Sequence, residues 1–290
     1  GAFVRALERG GFEAAHRFMG TEGELRSLLR ARVPALAFCA SLRCAKDEGE
    51  PRMAHAVLEE EGVAYVGSDP AALELAIDKA ALKERWLRSG VRTPPFCVVD
   101  MGLPFDEERA AEIGFPCIVK PNREGNSRGI GEDSVARALP ELRSKAELVA
   151  ARFGSAIAER FLGDAADVRE FTVALIGSGD GALVLPAEIE LAAPKAVRVI
   201  TTADKDGHRT VARPVADPAL RRAVADFARR AFAAAGVRDY SRCDLIMAGG
   251  ELYAIEINGQ PMVPDAWFAA CASGAGLDEA GYLNAIALAA

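Results

Sequence analysis

Two apolar runs, residues 243–248 and 252–257, flank a Gly249-Gly250 pair. Runs of this length joined by such a pair fold back on each other as a β-hairpin. Each run carries an acid where the pattern calls for a hydrophobe. Glu256 and Asn258 are two apart and share one face of their strand, while Ile255 and Ile257 point the other way, towards a core. Asp244 interrupts the partner run. A three-residue turn, Gly249-Gly250-Glu251, sets Asp244 directly opposite Glu256. A two-residue turn puts the two acids on opposite faces unless a bulge intervenes. Two carboxylates and an amide oxygen on one face suit a hard cation, and magnesium fits best where phosphates complete its shell. Spacing alone leaves open the alternative that these polar residues simply face water. The apolar flanks favour a site, because an acid inside a buried strand needs a partner.

The rest of the chain alternates between helical and strand-like stretches, which points to an α/β fold. Helices are expected over 2–19, 51–61, 70–89, 106–113, 138–151, 217–235 and 276–288, with Pro51 and Pro218 acceptable in first turns and Asp217 as a cap. Buried strands are expected over 33–40, 63–66, 96–99 and 155–161, and a second hairpin over 170–176 and 182–186 around Gly177-Ser-Gly-Asp-Gly181. Residues 191–215 show no clear period and read as a mobile segment. At 290 residues the chain exceeds one ordinary core, and its breaks near 78 and 163 suggest parts at 1–78, 79–163 and 164–290.

Four further segments carry chemistry. The apolar strand ending at Lys120 runs into a polar loop in which Gly125, Gly129 and Gly131 let backbone approach an anion, and Ser127 offers a hydroxyl. Lys120 can meet a phosphate as a point charge. The spacing is neither the Walker nor the Rossmann pattern, and many such loops are only flexible turns. At 157–162 a strand ends where its backbone could pair with a base edge, although this is also ordinary strand sequence. Lys205 lies in the irregular segment, where most lysines are simply solvated. Arg242 precedes the first acid of the hairpin, where it could steady an oxyanion or be a surface arginine.

Composition excludes several classes. A net charge of −7 argues against a nucleic-acid binder that works through bulk charge. No apolar run is long enough to span a bilayer, and the opening residues, with Arg5, Glu8, Arg9 and Glu13, lack the apolar core of a signal peptide. The six cysteines include no Cys-x-x-Cys pair, and Cys39, Cys97, Cys117 and Cys243 lie in or beside strand-like segments. They read as small buried hydrophobes of a reducing, cytoplasmic compartment. His16, His55 and His208 are scattered and given no metal role.

Taken in order, the segments Gly62-Val-Ala-Tyr-Val-Gly-Ser68, Ile77-Asp-Lys79, Val91-Arg-Thr-Pro-Pro95, Ile118-Val-Lys-Pro-Asn-Arg-Glu-Gly125, Glu170-Phe-Thr-Val173, Arg242-Cys-Asp244 and Glu256-Ile-Asn258 resemble the ATP-grasp superfamily, and within it the D-alanine–D-alanine ligase-like family. They span about 62 to 262. The resemblance implies an ATP-grasp fold preceded by an open α/β domain, with ATP in a cleft between two α+β subdomains. Lys79 and Lys120 would contact phosphates. Glu159, Arg160 and Leu162 would line the adenine pocket, and Glu170 would take the ribose hydroxyls. The loop 123–131, with Ser127, would close over the phosphates, Lys205 would meet the γ-phosphate and Arg242 would stabilise the oxyanion. Asp244, Glu256 and Asn258 would hold two magnesium ions, with manganese as a substitute. The implied activity is peptide-bond formation between amino-acid or small-peptide substrates through an acyl phosphate, by an enzyme that could form a homodimer.

Four departures from the family pattern bear mostly on substrate. The family's first strand and glycine-rich loop are missing or lie outside this sequence, since Gly1 is already in the following helix. Asn126 stands where the family has Ser, and Asp206 follows the loop lysine where a Tyr is frequent. The stretch near the acceptor pocket reads Asn258-Gly-Gln-Pro-Met-Val-Pro264. These changes suggest a different substrate pair, as in specialised metabolism. A nucleotide-binding regulator without catalysis is the reading that the intact set of ligands opposes.

Overall fold

The computed structural model describes residues 1–46 and 49–290. The N-terminal part is mostly helical: α1 (Ala2–Arg9) and α2 (Glu22–Ala31), then β1 (Arg43–Cys44) paired antiparallel with β2 (Arg52–Met53), then α3 (Ala54–Glu60) and α4 (Pro70–Ile77). The helix expected over 2–19 stops at Arg9, where Gly10 and Gly11 follow, and α2 begins at a capping box in which Thr21 and Glu24 satisfy each other's backbone N–H groups. The strands expected over 33–40 and 63–66 shrink to a single parallel bridge between Ala37 and Tyr65. Val33 is 66% exposed, so the apolar run there is not a buried strand.

The long helix expected over 70–89 is two helices. Asp78 has extended backbone (φ −84°, ψ 96°), ends α4 and caps α5 (Lys79–Arg88) by accepting from Ala81 N at 3.0 Å. Its carboxylate also takes Asn122 Nδ2 at 3.0 Å and Arg123 Nη1 at 2.7 Å. These competing partners explain why a helix-permissive run breaks at an acid. The break brings Lys79 to the first turn of α5.

A four-stranded antiparallel sheet follows, ordered β3-β6-β4-β5. It comprises β3 (Phe96–Asp100), β4 (Cys117–Pro121), β5 (Val135–Ala136) and β6 (Ser155–Arg160), with α6 (Glu107–Glu112) and α7 (Leu139–Phe153) on one face. Cys97, Val99, Cys117, Val119, Ala156 and Ala158 make the core beneath the helices. Alternation then turns Ile118, Lys120, Ile157 and Glu159 to the opposite face.

The second sheet has five antiparallel strands in the order β11-β10-β7-β8-β9. The strands β7 (Arg169–Ile176) and β8 (Leu183–Leu191) form the expected hairpin, longer than its apolar core suggested. The segment expected to be irregular contains α8 (Thr202–Asp206) and β9 (Thr210–Pro214). Next come α9 (Pro218–Ala235), β10 (Tyr240–Ala248), β11 (Glu251–Asn258), α10 (Ala266–Ser273) and α11 (Glu279–Ala289). One face of this sheet packs on α9, with Phe171, Val173, Cys243, Leu245 and Ala254 against Val224, Phe227, Ala231 and Phe232. Trp86 of α5 joins that core, fully buried, and its Nε1–H donates to Ala231 O at 3.0 Å. The other face is covered at one end by α1, α10 and α11, through Ala6, Phe268 and Tyr282. At its other end it opens towards the first sheet.

Candidate active site

The β10–β11 turn is Gly249-Gly250, at φ +60° and +74°. It has two residues, as the pairing of Ala248 with Glu251 shows. Without correction it would have put Asp244 and Glu256 on opposite faces. A β-bulge supplies the correction: Leu245 pairs with Ala254 but Asp244 pairs with Glu256, so Ile255 is the extra residue. Ile255 and Glu256 therefore both line the cleft, while Ala254 and Ile257 are buried in the core. The expectation that Ile255 is a core residue is corrected by this bulge. The same cleft face of β10 carries Asp244 and Ile246, and that of β7 carries Glu170 and Thr172, because Asp244 pairs with Thr172.

The cleft between the sheets holds about 840 Å³, mouth included. Its walls bring together Lys120, Ser127, Glu159, Arg160, Leu162, Glu170, Lys205, Asp244 and Glu256. A second cavity of about 730 Å³ lies on β8 and α9, lined by Pro186, Pro214, Pro218, Arg221 and Arg222. It has no acid in its lining.

At the inner end the charges form a chain. Lys120 Nζ donates to Glu159 Oε2 at 3.0 Å. Lys83 Nζ, fully buried, lies 3.4 Å from the same oxygen and donates to Thr93 Oγ1 at 2.7 Å. Burial would raise the Glu159 pKa, but Lys120 and Lys83 overcome it and hold the carboxyl below its ordinary value. Burial pushes the Lys83 ammonium down to about 8, partly offset by Glu159. Glu159 Oε1 is buried and has no hydrogen-bond partner. A buried acceptor in this state calls for a donor.

At the outer end, Lys79 Nζ donates to Glu124 O and lies 3.8 Å from Glu256 Oε2. Burial works against the charged form of Glu256, yet Lys79, Lys205, Lys120 and Arg242 together hold its carboxyl below the ordinary value. Asp244 Oδ1 accepts from Thr172 Oγ1 at 2.8 Å and from Arg242 Nε at 3.3 Å. Arg242 Nη1 also donates to Asp265 Oδ2 at 3.1 Å. Burial disfavours its charge, but the surrounding carboxylates raise its pKa further. Asn258 follows Glu256 by two residues on β11. It is exposed at the end of β11, and its Oδ1 accepts from Gln260 N at 3.2 Å.

Glu170 is held above its ordinary value by burial, against the pull of Arg198, whose Nε donates to it at 2.8 Å. Leu162 and Phe161 extend the wall beyond β6, and Phe161 packs with Ile118, Val135 and Val199. Two bonds tie the glycine-rich loop to the start of α8 and the residues just before it: Ser127 Oγ donates to Ile200 O at 3.2 Å and Thr202 Oγ1 donates to Asn126 O at 2.9 Å. Asn126 and Ser127 hold φ of 52° and 56°, a left-handed pair that shapes this loop.

Sequence reasoning missed Lys83, Arg198, Thr172 and Trp267. Lys83 follows Lys79 by four in a helix, so the two share a face, a signal that could have found it. Nothing in the spacing marks Arg198 or Trp267, which reach the cleft by tertiary packing.

The donors present fit a hard cation. Asp244 and Glu256 face each other across one strand pair, and hard oxygen ligands are what magnesium takes. Among the described residues no cluster of three or more His, Cys, Asp and Glu forms a complete cage. Such a set would hold a cation only with further ligands, such as phosphate oxygens or water, completing the shell.

The family described as D-ala D-ala ligase C-terminus matches residues 88–286. A D-alanine–D-alanine ligase of Cupriavidus necator is 34% identical over 215 residues, covering 73% of this chain and 63% of its own. One from a Thermotoga species is 29% identical over 214 residues, covering 73% and 66%. The chain thus spans about 63% of the length of the Cupriavidus relative. Among solved structures, the D-alanine–D-alanine ligase of Bacillus anthracis complexed with ATP superposes with a TM-score of 0.78 at 20% identity, over 99% of this chain and 89% of that one. A D-Ala:D-Ser ligase of Enterococcus faecalis gives 0.67 at 21% identity, over 88% and 72%. At these identities the likeness is one of fold.

Proposed function

The chain belongs to the D-alanine–D-alanine ligase family through residues 88–286, and on that premise we propose that it is an ATP-dependent ligase that joins a carboxylate to an amine through an acyl phosphate. The observation that carries the reading is the convergence of Lys120, Lys205, Asp244 and Glu256 in one cleft, with Lys79 beside Glu256. Cations that surround a pair of metal-type carboxylates match a polyphosphate and its divalent ion better than any neutral ligand.

In this reading 79–163 and 164–290 clamp the nucleotide and 1–78 borders the substrate end. The unpartnered Oε1 of Glu159 receives the exocyclic amine of adenine, with Arg160 and Leu162 around the ring. Glu170 takes the ribose hydroxyls. Lys79 and Lys120 hold phosphates, and Lys120 leaves Glu159 to do so while Lys83 keeps that carboxylate paired. Ser127 and the loop 123–131 cover the β- and γ-phosphates, and Lys205 reaches the γ-phosphate. Asp244, Glu256 and Asn258 would hold two magnesium ions, or manganese in their place. Held there, the metal would supply positive charge against the phosphate oxygens.

The substrate carboxylate oxygen attacks the γ-phosphorus and ADP leaves. The amine of the second substrate then attacks the acyl carbon and loses its proton, and phosphate departs with the carboxylate oxygen. Arg242, fixed by Asp244 and Asp265, stabilises the tetrahedral oxyanion. The substrates are amino acids or a small peptide. The stretch from Asn258 to Pro264 borders the acceptor and sets a pair different from two alanines.

An ADP-release screen over D- and L-amino acids, singly and in pairs, tests the assignment. Turnover with at least one pair, lost in Glu256→Gln, is the expected result. ATP binding with no ADP release across the panel would favour a nucleotide-binding regulator instead.

A further inference from the structure

The two cations assigned to the reacting groups share one aromatic ring. Lys205 Nζ lies 5.1 Å from the centroid of Trp267, and the Arg242 guanidinium carbon lies 5.0 Å from it. Trp267 is in the first turn of α10 and lines the cleft alongside Lys205, Asp244 and Glu256. The helix turn that carries it is fixed at its start. Asp265 caps α10 by accepting from Phe268 N at 3.2 Å, and the same Oδ2 takes Arg242 Nη1. Phe268, the next residue, is fully buried.

The two cations differ in how they are held. Arg242 is clamped by two carboxylates. Lys205 has no carboxylate within ion-pair distance among the described residues. It rides on α8, a five-residue helix between irregular segments. A carboxylate partner would neutralise Lys205 and would repel an incoming phosphate. An aromatic face attracts the ammonium through its quadrupole, adds no net charge and releases it readily to a stronger anion.

We propose that Trp267 is a positioning residue that parks Lys205 at the edge of the carboxylate pair before nucleotide arrives and aligns Arg242 beside it. The inference rests on the ligase reading for what the two cations do next. Trp267 then provides an order of events: the ammonium waits on the ring, and the γ-phosphate draws it off when the nucleotide is seated. The aromatic face beside Lys205 comes from α10 and not from the lysine's own segment, where Asp206 follows it.

The chain has two tryptophans, and Trp86 is fully buried, which leaves Trp267 as the one exposed to ligand. Emission is therefore read with and without magnesium-ATP in the wild-type protein, Lys205→Met, Trp267→Phe and Trp267→Leu. Without nucleotide, Lys205→Met should change the Trp267 emission. Magnesium-ATP should move the wild type in the same direction and leave Lys205→Met unchanged. In the ADP-release assay, Trp267→Leu should lower kcat by about ten-fold, with the KM for ATP within about two-fold of wild type, and Trp267→Phe should restore most of the rate. Unaltered emission in Lys205→Met, or wild-type kcat in Trp267→Leu, would overturn the proposal. Absence of ADP release by the wild type would instead count against the ligase reading, and the nucleotide-free emission comparison decides the contact independently of it.

Discussion

The candidate site is built from charges that would be costly one at a time. Lys83 is the extreme case, fully buried and tied to Thr93 and Glu159. Lys83→Met leaves Thr93 and Glu159 each short of a partner and is expected to cost about 1–3 kcal/mol in urea denaturation. It should also raise the KM for ATP, because Lys120 would no longer be free to leave Glu159. Glu256→Gln keeps the shape but removes the charge that four cations surround. It should lower ADP release by at least about a hundred-fold, the scale of a lost metal contact in the transition state. Lys120, Asp244 and Glu256 stood out in the sequence as charges inside apolar runs, whereas Lys79, Glu159 and Glu170 were singled out only through the family resemblance. Lys83 was not legible, since a lysine in a helix looks solvated until packing shows which face is covered. Trp267 was not either, as its partners are 25 and 62 residues away.

Among the elements, the β10–β11 hairpin shows how a register error is corrected. The two-residue glycine turn and the Ile255 bulge are each unfavourable to the site alone, and only together do they bring Asp244 opposite Glu256. The sequence pointed to the hairpin and its glycines and named a bulge as what a two-residue turn would need, but not its place at Ile255, which comes from where Glu256 must sit relative to the core. Gly250→Ala, at φ +74°, should cost about 1–2 kcal/mol, seen as a lower thermal midpoint. Nothing lies within 4 Å of the added Cβ, so the effect is backbone strain and not a clash. The strands expected over 33–40 and 63–66 failed because an apolar run without paired neighbours does not make a sheet. Segment 191–215 contains α8 and β9 because side chains supply what periodicity lacked. Thr201 caps α8, and Asp204 in the first turn accepts from Thr201 N and is paired with Lys195. Burial would raise the Asp204 pKa, but Lys195 and Thr201 bring it down to about 2 from an ordinary 3.8. A lowered carboxyl pKa stabilises above the ordinary value, and that stabilisation fades as pH falls towards 2. Acid-tolerant protease should therefore cut near α8 increasingly as pH drops from 3.8 to about 2. Asp204→Asn should be cut readily at every pH in that range.

For the whole molecule, the two antiparallel sheets act as the jaws of the cleft, with the glycine-rich loop and the α8 segment fastened across it by Ser127 and Thr202. A ligand that bridges both jaws stabilises them together. Magnesium-ATP at a hundred times its Kd should add about 2.7 kcal/mol, read as a raised thermal midpoint, and a chelator should remove most of that gain. The ordered motifs made this two-jawed architecture readable in the sequence, whereas the N-terminal part, with its single Ala37–Tyr65 bridge, was not. The central claim is that a carboxylate is activated as an acyl phosphate in this cleft. It is tested most directly by supplying the donor amino acid with ¹⁸O in its carboxylate and weighing the inorganic phosphate released on ligation. One labelled oxygen per phosphate is the predicted result, since the leaving phosphate takes the oxygen that attacked the γ-phosphorus; phosphate free of label would contradict the account.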